Sequence, residues 1–159
     1  MSSCCNPAAS ARGAGPAMCP ASNTAGNAVE LLTVKSLLRE SALGRLAVVQ
    51  HYFCPDPACN VVYFDAVGAA YSQADLRVSV WEKHPAGART VCYCFGENEG
   101  EIRREVEESG SSDAVARVRA HIKAGRCACE IRNPRGVCCL GDVIAAVERV
   151  RHAIAEGTR

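Results

Sequence analysis

The pattern of apolar and polar residues predicts short strands in the first half of the chain and helices in the second. Apolar residues at helical spacing after Thr33, a candidate N-cap, predict a helix over residues 34–43. The runs LAVVQHYFC (46–54) and CNVVYFDA (59–66) are rich in β-branched and aromatic residues. They flank a Pro/Asp turn, and this combination predicts a hairpin. Alternation in LRVSVWEK predicts a third strand over residues 76–83.

Helices are predicted throughout the rest of the chain. Asn98 is a favourable N-cap for a helix over residues 99–109. The segment DAVARVRAHIKA predicts a second helix over residues 113–124, and apolar residues at helical spacing predict a last helix over about residues 142–155. Short strands followed by a run of helices are typical of the α+β class.

Changes in composition divide the chain into three parts. Residues 1–26 are rich in Ala, Gly, Ser, Pro and Asn and show no periodicity, so we predict a flexible tail that carries three cysteines. The pattern-breaking segment HPAGAR, residues 84–89, marks a boundary between two lobes. We therefore expect an α+β lobe over residues 27–85 and a helical lobe over residues 90–156.

Charge and motifs exclude several functional classes. The formal net charge is +1 and no run of basic residues offers several phosphate contacts, so nucleic acid is not an expected partner. No apolar stretch is long enough for a membrane helix, and the N-terminus lacks the features of a secretory signal peptide. Phosphate-binding, serine hydrolase and zinc protease motifs are absent, so we expect no enzymatic activity and a cytoplasmic location.

The cysteines change this picture most. The chain has 11 cysteines among 159 residues, and in a reducing compartment closely spaced cysteines are more often metal ligands than disulfides. Six of them form three close pairs, in VCYCFG, GRCACE and NPRGVCCLG. Packing alone gives no reason for such spacing, so we interpret the three pairs as an iron–sulfur cluster site, which normally needs four thiolates.

The residues alone leave the choice of the four cluster ligands open. Cys92 and Cys94 are two residues apart, so in an extended segment both thiolates project to one side and can hold the same iron. The others must come from the pairs Cys127/Cys129 and Cys138/Cys139. Cys139 is preferred to Cys138 because it lies nearer the start of the last helix, where the helix dipole favours a thiolate.

A second candidate metal site lies at the predicted hairpin. Cys54 and Cys59 bracket the turn at a spacing close to that of structural zinc knuckles, and Cys19 on the tail is a third candidate. A closed tetrahedral site needs four ligands. Ser22 stands where a CPxC knuckle would carry its second cysteine, so the fourth ligand is left open among Cys4, Cys5 and His51.

Several of these strings resemble a known family. TVKSLL, YFCPDPACNVVYF, VCYCFG and GRCACEIRNPRGVCCLG, within about residues 19–141, are similar to the zinc- and 2Fe-2S-binding N-terminal module of CopZ-type copper chaperones and of stand-alone bacterial iron–sulfur cluster-binding metallochaperones. The resemblance implies a small zinc-ribbon-like lobe followed by a small helical 2Fe-2S lobe similar to bacterioferritin-associated ferredoxin.

The resemblance also implies which residues bind the two cofactors. The cluster ligands it implies are Cys92, Cys94, Cys129 and one of Cys138 and Cys139, which leaves Cys127 aside. It implicates Cys19, Cys54 and Cys59 in zinc binding. Two departures are evident: Ser22 replaces a presumed zinc ligand, and the chain shows no MxCxxC copper-binding domain after the last helix.

We therefore expect a 2Fe-2S protein that acts in electron transfer or in metal handling, with copper the favoured metal. Its expected partners are metal ions and a redox or copper-transport protein. The first alternative is a thiol-rich module that sequesters metal without redox function. The second is a structural adaptor that binds two zinc ions.

Overall fold

The structure, a computed structural model, describes residues 16–158. Four strands lie in the first half: β1 Asn27–Val29, β2 His51–Phe53, β3 Val61–Asp65 and β4 Ala70–Ser72. The α-helices are α1 Leu31–Leu37, α2 Glu40–Leu43, α3 Glu99–Ser109, α4 Ala114–Lys123, α5 Cys129–Arg132 and α6 Leu140–Gly157. Short 3₁₀ turns cover Gln73–Asp75 and Trp81–Lys83. The α+β class is confirmed.

The strands form one antiparallel sheet in the order β1-β2-β3-β4. The predicted hairpin is confirmed as β2 and β3, in which Phe53 lies opposite Tyr63. Tyr63 in turn lies opposite Tyr71 of β4. All three aromatic side chains are buried together with Leu38 and Leu76 in the core of the first lobe. This arrangement follows from the alternation of β-strand side chains, which places every second residue on the core face.

The strand predicted over residues 76–83 is wrong. Leu76 forms only an isolated bridge with Leu38, and Trp81–Lys83 is a 3₁₀ turn. Val80 and Leu76 are nevertheless buried. The fourth strand is instead Ala70–Ser72, a three-residue segment too short for its alternation to be recognised in the sequence.

The end of the predicted flexible tail belongs to the folded part of the chain. Met18 forms an antiparallel bridge with Ala25, and the turn between them contains Asn23 in the left-handed conformation, with φ of 57°. Cys19, at the start of this turn, is buried. Cys4 and Cys5 lie outside the described residues.

The second lobe is built from α3, α4 and α6, and both α3 and α4 pack against α6. Its core contains Ile102, Val106, Val118, Val143 and Val150. The helix predicted over residues 99–109 is confirmed: the Asn98 side chain accepts a hydrogen bond from the amide of Glu101. Helix α6 begins at Leu140, two residues before the predicted start. None of the described helices is both long and apolar enough to span a bilayer.

The two lobes meet at the loop between α5 and α6. Helix α5 packs against α1 of the first lobe. The buried hydroxyl of Tyr63 donates a hydrogen bond of 2.6 Å to the carbonyl of Pro134 in this loop. Gly136 lies so close to α1 that a Cβ atom added there would be 2.7 Å from Oγ1 of Thr33. The loop that precedes Cys138 and Cys139 is therefore held against the first lobe.

Candidate metal centres

Three cysteines of the first lobe form one compact group. The sulfur atoms of Cys19, Cys54 and Cys59 all lie within 4.8 Å of one another, and those of Cys19 and Cys59 are 3.9 Å apart. All three side chains are buried. A tetrahedron of sulfur atoms around one zinc ion has edges of about 3.8 Å, given Zn–S bonds of about 2.3 Å. We call this group the three-cysteine site.

Cys19 reaches the site through the tight turn between Met18 and Ala25. The Cys19 amide donates to the carbonyl of Thr24, and the amide of Asn23 donates back to the Cys19 carbonyl. This turn brings Ser22 back toward the cysteines, so that its Oγ lies 3.5 Å from Sγ of Cys54. The hydroxyl thus lies beside the three sulfur atoms.

The turn after β2 positions the other two thiols. Asp56 closes this turn by accepting a hydrogen bond from the amide of Ala58, and its carbonyl accepts one from the amide of Cys59. The Lys83 ammonium group donates to the carbonyls of Cys54 and Asp56, at 2.8 Å and 2.7 Å. A residue of the wrongly predicted third strand therefore supports the metal-site turn. Sequence reasoning missed this role, since no local pattern links Lys83 to residue 54.

The surroundings shift the pKa values of two of these thiols, Cys19 and Cys54. Burial pushes the pKa of Cys19 up, but hydrogen bonds from the backbone and hydroxyl of Ser22 outweigh it and lower that pKa to about 7. Burial raises the pKa of Cys54, although Ser22 and the positive charge of Lys83 act in the opposite direction. Thiolates held this close together would repel one another, and a bound metal ion would relieve this repulsion as it replaces the thiol protons.

Of the three candidates for the fourth ligand, His51 is placed elsewhere. Its imidazole is fully buried in the first-lobe core, with Nδ1 2.9 Å from the carbonyl of Val49 and Nε2 3.8 Å from a carboxylate oxygen of Asp65. It does not belong to the three-cysteine site. Cys4 and Cys5 precede the described part of the chain.

Four cysteines of the second lobe form two close pairs. The sulfur atoms of Cys94 and Cys129 are 3.7 Å apart, and Cys92 and Cys139 are buried in one packed cluster in which the Cys139 thiol lowers the pKa of Cys92. Cys92, Cys129 and Cys139 are buried, and Cys94 is half-buried. We call these four residues the four-cysteine site.

The pairing differs from the geometry that the sequence suggests. The segment that carries Cys92 and Cys94 is a turn, not an extended strand, and the Gly96 amide donates to the Cys92 carbonyl. Cys94 lies beside Cys129 at the start of α5, and Cys92 lies beside Cys139 at the N-cap of α6. Gly96 has φ of 73°, a left-handed conformation that favours glycine.

Cys127 and Cys138 are placed differently from their neighbours. Cys138 is exposed, whereas the adjacent Cys139 is buried and contacts Cys92. Cys127 is half-buried, and the amide of Ala128 donates to the sulfur of Cys94. Cys129 is the first residue of α5, and Cys139 is the N-cap of α6.

The thiols of Cys92, Cys129 and Cys139 have shifted pKa values because they are buried close to other cysteines. The hydrogen bond from Cys139 lowers the pKa of Cys92 to about 6, and the same bond together with burial raises the pKa of Cys139. Burial and the neighbouring Cys94 raise the pKa of Cys129 to about 12. Without a cation, Cys129 and Cys139 therefore keep their protons at neutral pH. Bound iron would replace these protons, as happens when metals bind cysteine thiolates.

A polar network surrounds the four-cysteine site and was not predicted. The Tyr93 hydroxyl, between two of the cysteines, donates a 2.7 Å hydrogen bond to Glu82 and accepts one from the amide of Trp81. Glu82 forms an ion pair with Arg135, which also pairs with Asp142 of α6. The network joins the Trp81–Lys83 turn to the turn that carries Cys92 and Cys94 and to the α5–α6 loop.

Comparisons with known proteins agree with this arrangement. Residues 16–77, which contain the three-cysteine site, match the family model of a CopZ zinc binding domain. The chain is 31% identical over 121 residues to the copper chaperone CopZ of Archaeoglobus fulgidus. Residues 16–77 therefore resemble a CopZ zinc binding domain, and the similarity to CopZ continues beyond them along the chain. The aligned region covers 76% of this chain and spans 57% of the length of that relative.

The fold of this chain also has a solved counterpart. The X-ray structure of the Archaeoglobus fulgidus CopZ N-terminal domain superposes with a TM-score of 0.65 at 26% sequence identity. The match covers 81% of this chain and 96% of that domain, so it includes both lobes. The family match and the three buried thiols together support binding of zinc or another metal at the three-cysteine site.

Proposed function

We propose that this protein is a metal-handling accessory protein that binds a 2Fe-2S cluster at Cys92, Cys94, Cys129 and Cys139 and a metal ion at Cys19, Cys54 and Cys59. It acts in electron transfer or in the handling of copper, with a redox or copper-transport protein as its partner. The observation that carries the proposal is the arrangement of the four-cysteine site in two close pairs, Cys94 with Cys129 and Cys92 with Cys139.

Two pairs of thiols suit two irons better than one ion. The 3.7 Å separation of the Cys94 and Cys129 sulfurs is close to the edge of about 3.8 Å expected for two sulfurs on one tetrahedral metal. In a 2Fe-2S cluster each iron takes two thiolates, and bridging sulfides complete both tetrahedra. Within the described residues, the four thiols do not form a group in which three lie within 4.8 Å, unlike the three-cysteine site.

The cluster supplies one-electron transfer when it is bound. Two features hold Cys139 in place: it is the N-cap of α6, and the loop before it is held against the first lobe by the hydrogen bond from Tyr63 to Pro134. One electron would convert Cu(II) to Cu(I), the oxidation state that soft thiolates prefer. All nine cysteines between residues 16 and 158 are free thiols, which suits a reducing cytoplasm.

Spectroscopy with matched variants tests the cluster. We expect the protein purified without oxygen to be red-brown, to contain about two irons per chain, and to give an EPR signal after reduction. Cys139→Ser should abolish this cluster, whereas Cys138→Ser, a change at the adjacent exposed thiol, should leave iron content and spectrum intact. A colourless, iron-free protein after iron supplementation would refute the cluster, and loss in Cys138→Ser alone would move the fourth ligand to Cys138.

The alternative is a thiol-rich module that sequesters soft metals without redox function. The half-buried Cys127 and the exposed Cys138 favour it, because they add accessible thiols beside the four-cysteine site. This alternative predicts that the double change Cys4→Ser and Cys5→Ser removes much of the metal-binding capacity. The cluster proposal predicts that iron content is unchanged in that variant. A structural adaptor with two zinc ions would show no visible absorption at all.

A further inference from the structure

The fourth corner of the three-cysteine site is the feature that the proposed function leaves unexplained. A tetrahedral ion with three sulfur ligands and one oxygen ligand has S–S edges of about 3.8 Å and S–O edges of about 3.6 Å, from bond lengths of about 2.3 Å and 2.1 Å. The Cys19 and Cys59 sulfurs are 3.9 Å apart, and Oγ of Ser22 lies 3.5 Å from the Cys54 sulfur. Both distances fit the edges of such a mixed site.

Ser22 is held in this position by its own turn. Its Oγ accepts a hydrogen bond of 3.4 Å from the amide of Thr24 and lies 3.5 Å from the sulfur of Cys54. The hydroxyl is therefore directed at the sulfur atoms of the site. A change of the Ser22 rotamer that moved the hydroxyl away from the site would break both contacts.

Burial distinguishes the serine from the three cysteines. Cys19, Cys54 and Cys59 are 2%, 0% and 8% exposed, whereas Ser22 is only half-buried. Solvent and a competing ligand would thus reach the site from the side of the Ser22 hydroxyl. Closed four-thiolate sites are typical of structural zinc, while a site with a weakly held fourth position exchanges that ligand.

Charge favours the same arrangement. Three thiolates and a divalent ion carry a net charge of −1, and a fourth thiolate would raise this to −2. The Lys83 ammonium group, bonded to the Cys54 carbonyl, is one cation beside the site. With a neutral hydroxyl as the fourth ligand, the site keeps a net charge of −1, which a single lysine can balance.

We propose that Ser22 supplies the fourth corner of the three-cysteine site through its hydroxyl oxygen, so that the site holds a thiophilic divalent ion by three thiolates and releases it through an exchangeable oxygen position. The inference rests on the proposed metal binding at this site. It makes the site one that transfers its ion to a competing thiol ligand, rather than a permanently locked structural site.

Cobalt(II) substitution in the full-length protein tests the ligand set. The intensity of thiolate-to-cobalt charge transfer rises with the number of thiolates, so Ser22→Cys should increase it by about one third, from three sulfur ligands to four. Ser22→Ala should keep the charge-transfer intensity and shift the ligand-field bands. Ser41→Cys, which adds an exposed thiol away from the site, is the matched control and should resemble the unmodified protein.

Zinc release to a chelator tests the consequence. We expect release from Ser22→Cys to be roughly tenfold slower or more, and release from Ser22→Ala to be faster than from the unmodified protein, because sulfur holds zinc more firmly than a neutral oxygen does. Ser22→Ala also keeps the test valid if Ser22→Cys fails to fold.

The outcomes separate the two proposals. A protein that takes up no cobalt or zinc refutes the metal site together with this inference. Uptake with a four-thiolate spectrum that Ser22→Cys and Ser22→Ala leave unchanged refutes only this inference. In that case the double change Cys4→Ser and Cys5→Ser should lower the charge-transfer intensity, which would assign the fourth corner to the N-terminal segment.

Discussion

Replacing Gly136 by alanine should destabilise the contact between the two lobes more than an ordinary glycine replacement does. Gly136 has φ of 68°, and an added Cβ would lie 2.7 Å from Oγ1 of Thr33, a distance that real Cβ atoms do not show. Left-handed backbone costs a residue with a Cβ about 1–2 kcal/mol. Forcing an extra methyl group into a packed contact adds about 1–3 kcal/mol. We therefore expect a total loss of about 2–5 kcal/mol in the free energy of unfolding.

Gly110→Ala is the matched control. Gly110 has φ of 79° at the end of α3, but nothing lies within 4 Å of the position that an added Cβ would take. It should show the backbone cost alone, about 1–2 kcal/mol. Urea denaturation of both variants at equal metal content, followed by circular dichroism, measures the difference.

A double-mutant cycle isolates the steric part. In Thr33→Ala the Oγ1 and Cγ2 atoms are gone, and the nearest remaining side-chain atom, Cβ, lies 3.5 Å from the added methyl group, an ordinary contact distance. Thr33→Ala with Gly136→Ala should therefore cost less than the sum of the single changes, by about 1 kcal/mol or more. Additive costs, or equal losses in Gly136→Ala and Gly110→Ala, would refute the close packing of this loop on α1.

Three further predictions concern other parts of the molecule. Tyr63→Phe removes the buried hydrogen bond to the Pro134 carbonyl and leaves that oxygen unpaired, so urea denaturation should show a loss of about 1–3 kcal/mol, whereas an unchanged midpoint would place water at that carbonyl. Burial raises the pKa of Asp75, but hydrogen bonds from Ser72 and Arg45 outweigh it and lower that pKa below 3.8. The stability from the ionised carboxylate is thus present above about pH 4 and lost below it. Asp75→Asn should flatten the fall in unfolding temperature from pH 5 to pH 3, and an unaltered slope would contradict this. Chelation of metal from the three-cysteine site should lower the unfolding temperature of the first lobe, as scanning calorimetry measures, because metal bound only to the folded state stabilises it.

The polar network beside the four-cysteine site connects four segments of the chain through hydrogen bonds and ion pairs. Glu82 accepts a hydrogen bond from the Tyr93 hydroxyl and forms an ion pair with Arg135. Arg135 also forms an ion pair with Asp142. These residues come from the Trp81–Lys83 turn, the turn that carries Cys92 and Cys94, the α5–α6 loop and the first turn of α6. The turn that carries Cys92 and Cys94 and the loop that ends at Cys139 are therefore connected by one network of polar side chains.

Local signals made some elements predictable. The helix over residues 99–109 was recognisable because Asn98 caps it and apolar residues recur every three or four positions. The hairpin of β2 and β3 was recognisable because two β-branched, aromatic runs flank a turn. Residues 76–83 misled the prediction: their alternation resembles a strand, but Leu76 and Val80 are buried by packing against α1 and the sheet without strand pairing.

By itself the sequence determined the α+β class, the order of hairpin and helices, and the presence of two groups of closely spaced cysteines, because these depend on neighbours a few residues apart. Only the tertiary structure decided which thiols meet. It pairs Cys94 with Cys129 and Cys92 with Cys139, and it brings Ser22 beside Cys54, 32 positions away in the chain. Such contacts depend on how the turns fold back and how the lobes pack. The periodicity of apolar residues gives no information about distances between residues far apart in the chain.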